Sequence, residues 1–379
     1  MKTRAPVNRI EVPFLDLRAQ YAAIKQEIDE AIARVIDNTS FILGAEVRAF
    51  EEEFAAYSGF KHAIGVGNGT DALTLALRAA GLAPGDEVVA PAHTFVATTE
   101  AITQAGGTVR LADVSDTTFC MTAESLEAAC TPATRFVIPV PIYGNPAGLP
   151  EIVDFARERG LRVVVDAAQA HGARLHGKRL GEVADVATYS FFPGKNLGAY
   201  GDAGAVTTND DETARAVRMW RNHGREGKFD HQFEGVNSRM DGLQGAILRA
   251  KLLHLDSWCE GRRQVAAWYR EALAGIEGLR LPKESDGAEH VYHLYVVRAS
   301  GRDGLRGPLK ERGVASGVHY PDPVHLTAAY AHLGHGRGAF PASEEICDTV
   351  LSLPIYPELR RDQVDRVADA LRDLLSTQR

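Results

Sequence analysis

The stretch SFFPGKNLGAYGDAG (residues 190–204) places one lysine, Lys195, in a glycine-rich loop between two short apolar strands, which we predict at 185–190 and 203–207. A lysine in such a loop is easily desolvated, and desolvation favours its neutral amine. The neutral amine is a nucleophile and can form an imine with a carbonyl group. A solvated surface lysine is the alternative, and the glycine and aromatic content of the loop argues against it. The stretch therefore indicates a reactive amine presented by a sheet.

Upstream of this loop, short apolar runs alternate with amphipathic segments. The runs are apolar on both faces, which is typical of strands in a parallel sheet covered by helices. The predicted strands are 62–66, 87–92, 108–114, 135–140 and 161–169, and the predicted helices are 16–38, 45–57, 71–80, 95–105, 123–129 and 149–159. The fold class is therefore α/β.

After a long helical region at 241–276 the pattern changes to a strand (293–297), a helix (309–313), a strand (314–319) and a last helix (363–376). We therefore predict a large domain, 1–250, with a mixed and mostly parallel sheet between helices. A smaller C-terminal α/β domain would occupy 251–379.

Two further elements lie at strand ends or helix starts. Asp166 follows the apolar strand LRVVV (161–165), at the rim where α/β folds bind ligands, and a buried carboxylate needs a cationic partner. A protonated pyridine nitrogen is one such partner, and an Asp that caps the next helix is the equally open alternative. Gly69 and Thr70 begin a helix, whose free N–H groups attract an anion, although many helix starts share this property. Ser190 could add a hydroxyl to the same phosphate.

A phosphate cradle, a carboxylate for a pyridine nitrogen and an imine-forming lysine together meet the requirements of pyridoxal 5'-phosphate (PLP). Composition excludes several other classes. The net charge is −8, and no block of Lys or Arg suggests a nucleic-acid or anionic membrane surface. No strand-linked GxGxxG motif supports an oxidoreductase. The four cysteines lack metal-ligand spacing with His, so we expect no metal site.

No apolar run approaches the roughly 20 residues that cross a bilayer. The segment MKTRAPVNRIEVPF (1–14) also lacks the apolar core of a signal peptide. We therefore expect a cytoplasmic protein with reduced cysteines.

The ordered motifs of the chain resemble the DegT/DnrJ/EryC1/StrS family of PLP-dependent nucleotide-sugar aminotransferases, which have the fold-type I architecture. The resemblance runs almost from end to end. It rests on VPFLDLRAQY (12–21), FILGAEVRAFEEEFA (41–55), GNGTDAL (67–73), PGDEVVAPAHTFVAT (84–98), PVPIYG (139–144), VVDAAQAHGA (164–173), SFFPGKNLGAYGDAGAV (190–206), NSRMDGLQGAIL (237–248), VHYPDPVHL (318–326) and LSLPIYP (351–357).

The resemblance implies a role for each matching residue. Lys195 matches the lysine that holds the cofactor covalently, and Asp166 matches the carboxylate at the pyridine nitrogen. Gln169 matches the residue beside the ring hydroxyl, and Phe95 the aromatic stacked on the ring. The phosphate shell would contain Gly69, Thr70 and Ser190. Asn237 matches a residue supplied by the neighbouring subunit, which implies a homodimer with shared active sites.

The remaining candidates concern the substrate. Arg239 lies in a loop before the long helical region, where the alternative is a solvated surface arginine. His319, Tyr320 and His325 lie in a proline-rich segment that the resemblance places over the substrate, and their side chains can read sugar hydroxyls. The alternative is a structural role, with His325 as a satisfied core histidine and Tyr320 as core packing.

The implied reaction moves an amino group, with L-glutamate as the expected donor, onto a nucleotide-linked keto-sugar in amino-sugar biosynthesis. The stretch PGKNLGAYGDAG (193–204) is most similar to family members that act at C3. The sugar could be a dTDP-3-keto-6-deoxyhexose, a UDP-linked 3-keto N-acetyl sugar or the corresponding uronic acid. Three alternatives stay open, namely amination at C4, a PLP-binding regulator, and the deoxygenating dehydratases, which carry His in place of the lysine.

Overall fold

The computed structural model describes residues 11–376. Most of the N-terminal segment assessed for a signal peptide, and both outer ends of the predicted domains, lie outside this range. The helices are α1 (Leu17–Ala23), α2 (Lys25–Asp37), α3 (Gly44–Ser58), α4 (Gly69–Ala79), α5 (Ala97–Ala105), α6 (Ala123–Ala129), α7 (Leu149–Glu158), α8 (Asp211–Trp220), α9 (Gly242–Leu252), α10 (Leu255–Ala272), α11 (Asp303–Glu311), α12 (Pro341–Thr349) and α13 (Arg361–Ser376).

The strands are short. They are β1 (His62–Val66), β2 (Glu87–Pro91), β3 (Thr108–Ala112), β4 (Thr134–Val137), β5 (Arg162–Val163), β6 (Val165–Asp166), β7 (Arg174–Leu175), β8 (Lys178–Arg179), β9 (Val186–Ser190), β10 (Gly204–Thr208), β11 (Leu279–Arg280), β12 (Ala288–Glu289), β13 (Tyr295–Ala299) and β14 (Val350–Leu353). The helix and strand lengths are ordinary for an α/β protein.

The central sheet consists of two four-stranded ladders, ordered β3-β2-β4-β5 and β1-β10-β9-β6. Residues 162–166 supply the last strand of each ladder, so the two ladders form one continuous sheet. The Val164 amide bonds the Val137 carbonyl at 3.0 Å, and the Asp166 amide bonds the Pro139 carbonyl at 3.0 Å. All neighbouring pairs are parallel except those of β10, which runs antiparallel to β1 and β9. This is the mixed, mostly parallel sheet that the sequence predicts.

Helices cover both faces of the sheet, because successive side chains of a strand point to opposite faces. Ala63 and Ala205 pack into one buried cluster with Phe50 of α3. Their neighbours Ile64 and Val206 pack into the other cluster, together with residues of α4, α5 and α8. Parallel strands buried on both sides read as continuous apolar runs, and this is why the sequence reveals them.

The C-terminal part contains the antiparallel sheet β11-β13-β14, packed against α10, α11 and α13. Val12 joins this core, and its amide bonds the Gly313 carbonyl at 3.0 Å. The segment around Val12 therefore packs on the C-terminal part of the chain. A domain boundary at a single chain position would assign this segment to the large domain. The boundary at residue 250 stays a prediction.

Several sequence boundaries were wrong. The predicted helix 16–38 divides at Ile24, whose amide bonds the carbonyl three residues back, at 3.2 Å, and whose φ is −122°. The predicted strand 314–319 does not form, because Val314 and Gly317 make single bridges to different neighbours before the chain leaves the sheet. The helix predicted at 309–313 instead spans Asp303–Glu311. The sequence interpretation also missed α8, α12 and β14.

Candidate active site

A cavity of about 750 Å³ opens at the carboxyl ends of β2, β6 and β9. The carboxyl edge of an open α/β sheet is where ligands bind in this architecture. The cavity brings together most of the residues that the sequence identifies. These residues are Gly69, Thr70, Phe95, Asp166, Gln169, Ser190, Lys195, His319 and Tyr320.

Lys195 is half-buried in a loop that hydrogen bonds hold from several sides. Its amide bonds the Phe192 carbonyl at 2.8 Å, and the Asn196 side chain donates to the Val291 carbonyl at 3.0 Å. Lys251, from helix α9, donates to the Gly198 carbonyl at 2.6 Å. Desolvation lowers the pKa of the Lys195 ammonium group to about 8, against the raising effect of Asp166. A useful fraction of neutral amine is therefore present near neutral pH.

Asp166 is buried at the end of β6, with 6% of its surface exposed. Its Oδ2 accepts a hydrogen bond from Thr98 at 2.8 Å, and its Oδ1 accepts one from the Ala168 amide at 3.2 Å. Burial raises the pKa of the carboxyl group, whereas the Thr98 bond, the Ala168 bond and Lys195 lower it. The carboxylate faces no guanidinium or ammonium group within ion-pair distance among residues 11–376. A cationic ring nitrogen would complete its environment.

The start of α4 forms a narrow cradle against the end of β9. A Cβ atom added to Gly69 would lie 2.6 Å from Ser190 Cβ, so only glycine allows this approach. Asn68 caps the helix by accepting a hydrogen bond from the Asp71 amide at 2.8 Å. The free backbone amides at the start of α4 and the hydroxyls of Thr70 and Ser190 surround the cradle. This arrangement suits a phosphate group.

Gln169 is buried and links two parts of the site. Its Oε1 accepts from the Tyr143 amide at 2.6 Å, and its Nε2 donates to the Tyr320 hydroxyl at 3.1 Å. The Tyr143 hydroxyl in turn donates to the His319 carbonyl. This connection fixes the proline-rich segment relative to the sheet.

Aromatic rings form the open side of the cavity. Phe95 is 52% exposed, and its ring lies 5.5 Å from that of Tyr320. His319 stacks on Phe14 at 5.7 Å, and its Nδ1 lies 2.8 Å from Ser352 Oγ. Burial lowers the pKa of His319 to about 4, so its ring is neutral around pH 7. Such a ring can donate or accept a hydrogen bond to a sugar hydroxyl.

The structure does not bring the other three candidates to this cavity. Asn237 is exposed and bridges to Asn222 outside it, and Arg239 is half-buried with a 3.4 Å bond to the Asn222 side chain. His325 is 2% exposed and lies 3.0 Å from Glu344 on α12. Its Nδ1 is buried without a hydrogen-bond partner among the described residues, and the role of His325 stays a prediction.

Sequence reasoning missed several residues at the site. Thr98 bonds Asp166, and Tyr143 holds Gln169, yet both lie in stretches quoted above only for the resemblance. His293 and Arg262 also line the cavity from the C-terminal part of the chain. Thr98 lies in the first turn of α5, seven residues after β2 ends at Pro91, whereas long-range packing alone brings Arg262 to the site.

A continuous β3-β2-β4-β5/β6-β9-β10-β1 sheet, with a desolvated lysine and a buried carboxylate at its carboxyl edge, is the arrangement of fold-type I PLP-dependent aminotransferases. The glycine-lined cradle matches the phosphate of this cofactor, and the buried carboxylate without a cation matches its pyridine nitrogen. Residues 22–372 match the DegT/DnrJ/EryC1/StrS aminotransferase family. The chain belongs to this family and is a PLP-dependent aminotransferase.

Characterised relatives and solved structures agree. The chain is 47% identical over 373 residues to dTDP-3-amino-3,4,6-trideoxy-α-D-glucose transaminase of Streptomyces venezuelae, covering 98% of each chain. It is 44% identical over 364 residues to UDP-N-acetyl-3-dehydro-α-D-glucosamine 3-aminotransferase of Acidithiobacillus ferrooxidans, covering 96% of this chain and 98% of that one. The crystal structure of S. venezuelae DesV in complex with a ketimine intermediate superposes with a TM-score of 0.94, at 47% identity over 96% of this chain and 98% of that one.

Two negative findings apply to the part of the chain that the structure describes. No helix between residues 11 and 376 combines the length and apolarity needed to cross a bilayer. Within the same residues, no group of three or more His, Cys, Asp or Glu side chains is arranged to hold a metal ion.

Proposed function

We propose that this protein transfers the amino group of L-glutamate to C3 of a nucleotide-linked 3-keto-sugar. The observation that carries the proposal is the pairing of a desolvated Lys195 with the buried Asp166 in one cavity. The choice of a C3 keto-sugar is supported by the names of two relatives, one a dTDP-sugar transaminase and the other a UDP-sugar 3-aminotransferase.

The cavity residues fit PLP in one orientation. Gly69, Thr70 and Ser190 would hold the phosphate, and Asp166 would hold the ring nitrogen in its protonated form. Gln169 would donate to the ring hydroxyl, and Phe95 would cover the ring. When bound, PLP supplies an electron sink for the bond that breaks at the amino-bearing carbon.

Lys195 has two tasks in this proposal. Its neutral amine would hold the cofactor covalently, and the same amine would be the base that moves a proton at the amino-bearing carbon of the donor. The pKa of about 8 suits both tasks, because a base works best when its pKa lies near the working pH. Burial raises the pKa of Asp166, and Thr98 supports this chemistry because its hydrogen bond opposes that rise.

His319 and Tyr320 would recognise the sugar through hydrogen bonds to its hydroxyl groups. His319 is neutral and anchored at Nδ1 by Ser352, so its other nitrogen is free for a sugar hydroxyl. Tyr320 is fixed by Gln169 and lies beside Phe95 at the mouth of the cavity. We expect His319→Ala and Tyr320→Phe to weaken the sugar half-reaction and to spare the glutamate half-reaction.

The proposed active unit is a homodimer. Asn237 and Arg239 lie outside the cavity of their own chain, which is compatible with a contribution to the cavity of a second copy. Asn237 would reach the partner's cofactor phosphate, and Arg239 would lie near the partner's substrate. The planar fork of an arginine suits anionic groups such as a nucleotide phosphate.

The deciding experiment is a pair of half-reactions with the purified, PLP-loaded protein. L-Glutamate should discharge the visible absorbance of the cofactor, and a nucleotide-linked 3-keto-sugar should restore it. A 4-keto-sugar in place of the 3-keto-sugar tests amination at C4. If glutamate leaves the spectrum unchanged while PLP stays bound, L-glutamate is not the amino donor and the proposal is wrong.

A further inference from the structure

Lys251, on helix α9, is a fully buried lysine for which the proposed reaction has no use. Its exposed fraction is 0%. Its Nζ donates to the Gly198 carbonyl at 2.6 Å and lies 4.7 Å from the centre of the Tyr200 ring. Among residues 11–376, no carboxylate lies within 4.0 Å of this nitrogen, and Glu358 acts on it only from a longer distance.

The burial of Lys251 costs free energy, because an ammonium group with three N–H donors leaves water without an ion-pair partner. Desolvation lowers the pKa of Lys251 to about 8, against the raising effect of Glu358. Burial also raises the pKa of Glu358, which favours its neutral form. Replacing buried charged groups by apolar ones is often neutral or stabilising. The stability of the fold therefore does not explain a lysine at this position.

The partner of Lys251, Gly198, closes the loop that carries Lys195. A Cβ atom added to Gly198 would lie 2.3 Å from the carbonyl oxygen of Pro193 and 2.7 Å from its carbonyl carbon, so the two backbones are in direct contact. The next amide, of Ala199, bonds the Phe191 carbonyl at 2.8 Å. A side chain that fixes Gly198 therefore fixes both ends of the loop around Lys195.

Helix α9 contacts the same loop at a second point. Gln244 lies seven residues before Lys251, and residues at this spacing share one face of a helix. Its Oε1 accepts a hydrogen bond from the Tyr200 amide at 2.9 Å. One face of α9 thus holds the backbone that follows Lys195 through two side chains.

We propose that Lys251 is a positioning residue, whose bond to the Gly198 carbonyl holds the Lys195 amine at the place where the cofactor aldehyde binds. An amine held in place reacts with a bound carbonyl as if it were far more concentrated than a mobile one. Lys251 should therefore favour the covalent capture of PLP and leave the noncovalent part of the site unchanged. This inference rests on the proposed function, because it takes Lys195 as the lysine that links the cofactor.

The experiment compares Lys251→Met, which keeps the length of the side chain and removes its donor, with Gln244→Leu, which removes the second contact of α9. Each apoenzyme is titrated with PLP and with 4'-deoxypyridoxine phosphate, which has the ring and the phosphate but no aldehyde. Borohydride reduction and mass spectrometry of the Lys195 peptide measure the covalent link itself. Reductive methylation of Lys195 in the apoenzyme, followed against pH, measures the pKa of its amine.

Arg249→Met is the matched control, because it also replaces a cation of α9 by methionine. Arg249 bonds the side chains of Glu53 and Glu46, at 2.8 and 3.1 Å, and does not contact the loop. This variant should bind PLP and the analogue as the wild type does.

We expect the Kd for PLP to rise about 10-fold in Lys251→Met, the effect of one lost bond from a charged donor, and about threefold in Gln244→Leu, where the lost bond is neutral. The Kd for the analogue should change by less than about twofold, because none of its own contacts is lost. The methylation profile of Lys195 should keep its pKa of about 8. The thermal midpoint of the Lys251→Met apoenzyme should stay within about 3 °C of the wild type, since the lost bond and the removed buried charge oppose each other.

The inference is wrong if Lys251→Met binds PLP as the wild type does, or if it loses affinity for the analogue as much as for PLP. A shifted methylation profile would also overturn it, because Lys251 would then act through its charge, as would an equal loss in Arg249→Met. If Lys251→Met does not fold, the ratio of the two affinities in Gln244→Leu decides. Absence of a PLP link at Lys195 in the wild type would overturn the proposed function instead.

Discussion

The backbone amide of Tyr143 donates a 2.6 Å hydrogen bond to Oε1 of Gln169. Tyr143 has a φ of 59°, which is uncommon for a residue with a side chain, and its hydroxyl donates to the His319 carbonyl and lies 2.7 Å from His93 Nε2. One buried residue thus contacts Gln169 with its backbone amide and the proline-rich segment with its hydroxyl.

Tyr143→Phe should therefore weaken the sugar half-reaction. The variant keeps the amide bond to Gln169 and loses the hydroxyl bond to His319. We expect kcat/KM for the sugar to fall about 3- to 10-fold, as for one lost neutral hydrogen bond of about 1 kcal/mol, while the glutamate half-reaction stays within about twofold. Stopped-flow absorbance of each half-reaction measures both effects.

Tyr269→Phe provides the control for this prediction. Tyr269 is fully buried and its hydroxyl also donates to a carbonyl, that of Pro354, at 2.9 Å, but it lies in the core outside the cavity. Both variants should lower the free energy of unfolding by similar amounts. An equal loss of sugar turnover in both would mean that Tyr143 acts only on stability.

The strands and helices of the central sheet were predictable because the apolar pattern of neighbouring residues determines them. The range 62–66 was predicted for β1 and 123–129 for α6, and the structure has the same bounds. The candidates Lys195 and Asp166 were accessible for a related reason. A buried strand followed at once by a polar residue is a local pattern that places the residue at the carboxyl edge.

Features that depend on distant partners were not predictable in this way. The segment 314–319 has a strand-like composition, but its end bonds to residues of the cavity and not to a neighbouring strand. Tyr143 donates to the His319 carbonyl, and Gln169 donates to the hydroxyl of the next residue, Tyr320. His325 follows two prolines near the site in sequence, yet its ring turns to Glu344, a residue of the missed helix α12. Arg262 belongs to an amphipathic helix pattern that gives no sign of a cavity.

Lys195 should react with aldehydes at lower pH than an ordinary lysine does. Its folded-state pKa is lowered to about 8, so the neutral amine fraction rises about tenfold per pH unit below pH 8 and levels off above it. Reductive methylation of the apoenzyme, followed by mass spectrometry of the Lys195 peptide, measures this profile. The peptide with the exposed Lys178 reports the intrinsic behaviour of the reagent.

A Lys195 profile that keeps rising to pH 10 would contradict the desolvated site.

Lys195→Ala should retain PLP without a covalent link and show no turnover. Full turnover of this variant would remove the basis of the proposed function.

Thr98→Val should restrict activity on the acid side of the pH profile. Thr98 lowers the pKa of Asp166, so its removal raises that pKa further, and the carboxylate is protonated at higher pH as the pH falls. We expect kcat/KM to fall about 10-fold near neutral pH, the effect of one lost bond to a charged group. The acid limb of the profile should move to higher pH.

Thr99→Val is the matched control for this change. Thr99 is the next residue of the same helix, it is also buried, and its hydroxyl bonds the Val96 carbonyl at 2.9 Å. Its profile should follow that of the wild type. If both variants shift the acid limb alike, the effect belongs to helix α5 and not to Asp166.

Complementation between two inactive variants tests the shared site. Mixing Lys195→Ala with Asn237→Asp subunits should restore about a quarter of wild-type activity, because half of the dimers are mixed and each has one intact site of two. The intact site combines Lys195 of one chain with Asn237 of the other. Native mass spectrometry verifies subunit exchange, and no rescue after exchange would show that each site is formed by one chain.

Gly69→Ala should weaken PLP binding more than it affects folding. The added Cβ would lie 2.6 Å from Ser190 Cβ and 3.1 Å from Ser190 Cα, so the start of α4 and the end of β9 must separate at the phosphate cradle. We expect the Kd for PLP to rise at least about 10-fold, since several amide and hydroxyl bonds to one phosphate change together. Gly307→Ala is the control, because Gly307 lies in α11 outside the cavity and an added Cβ meets no atom beyond its chain neighbours within 4 Å. Equilibrium titration of the apoenzyme with PLP and thermal unfolding without PLP separate the two effects. If Gly69→Ala binds PLP as tightly as Gly307→Ala does, the phosphate lies elsewhere and the orientation proposed for the cofactor is wrong.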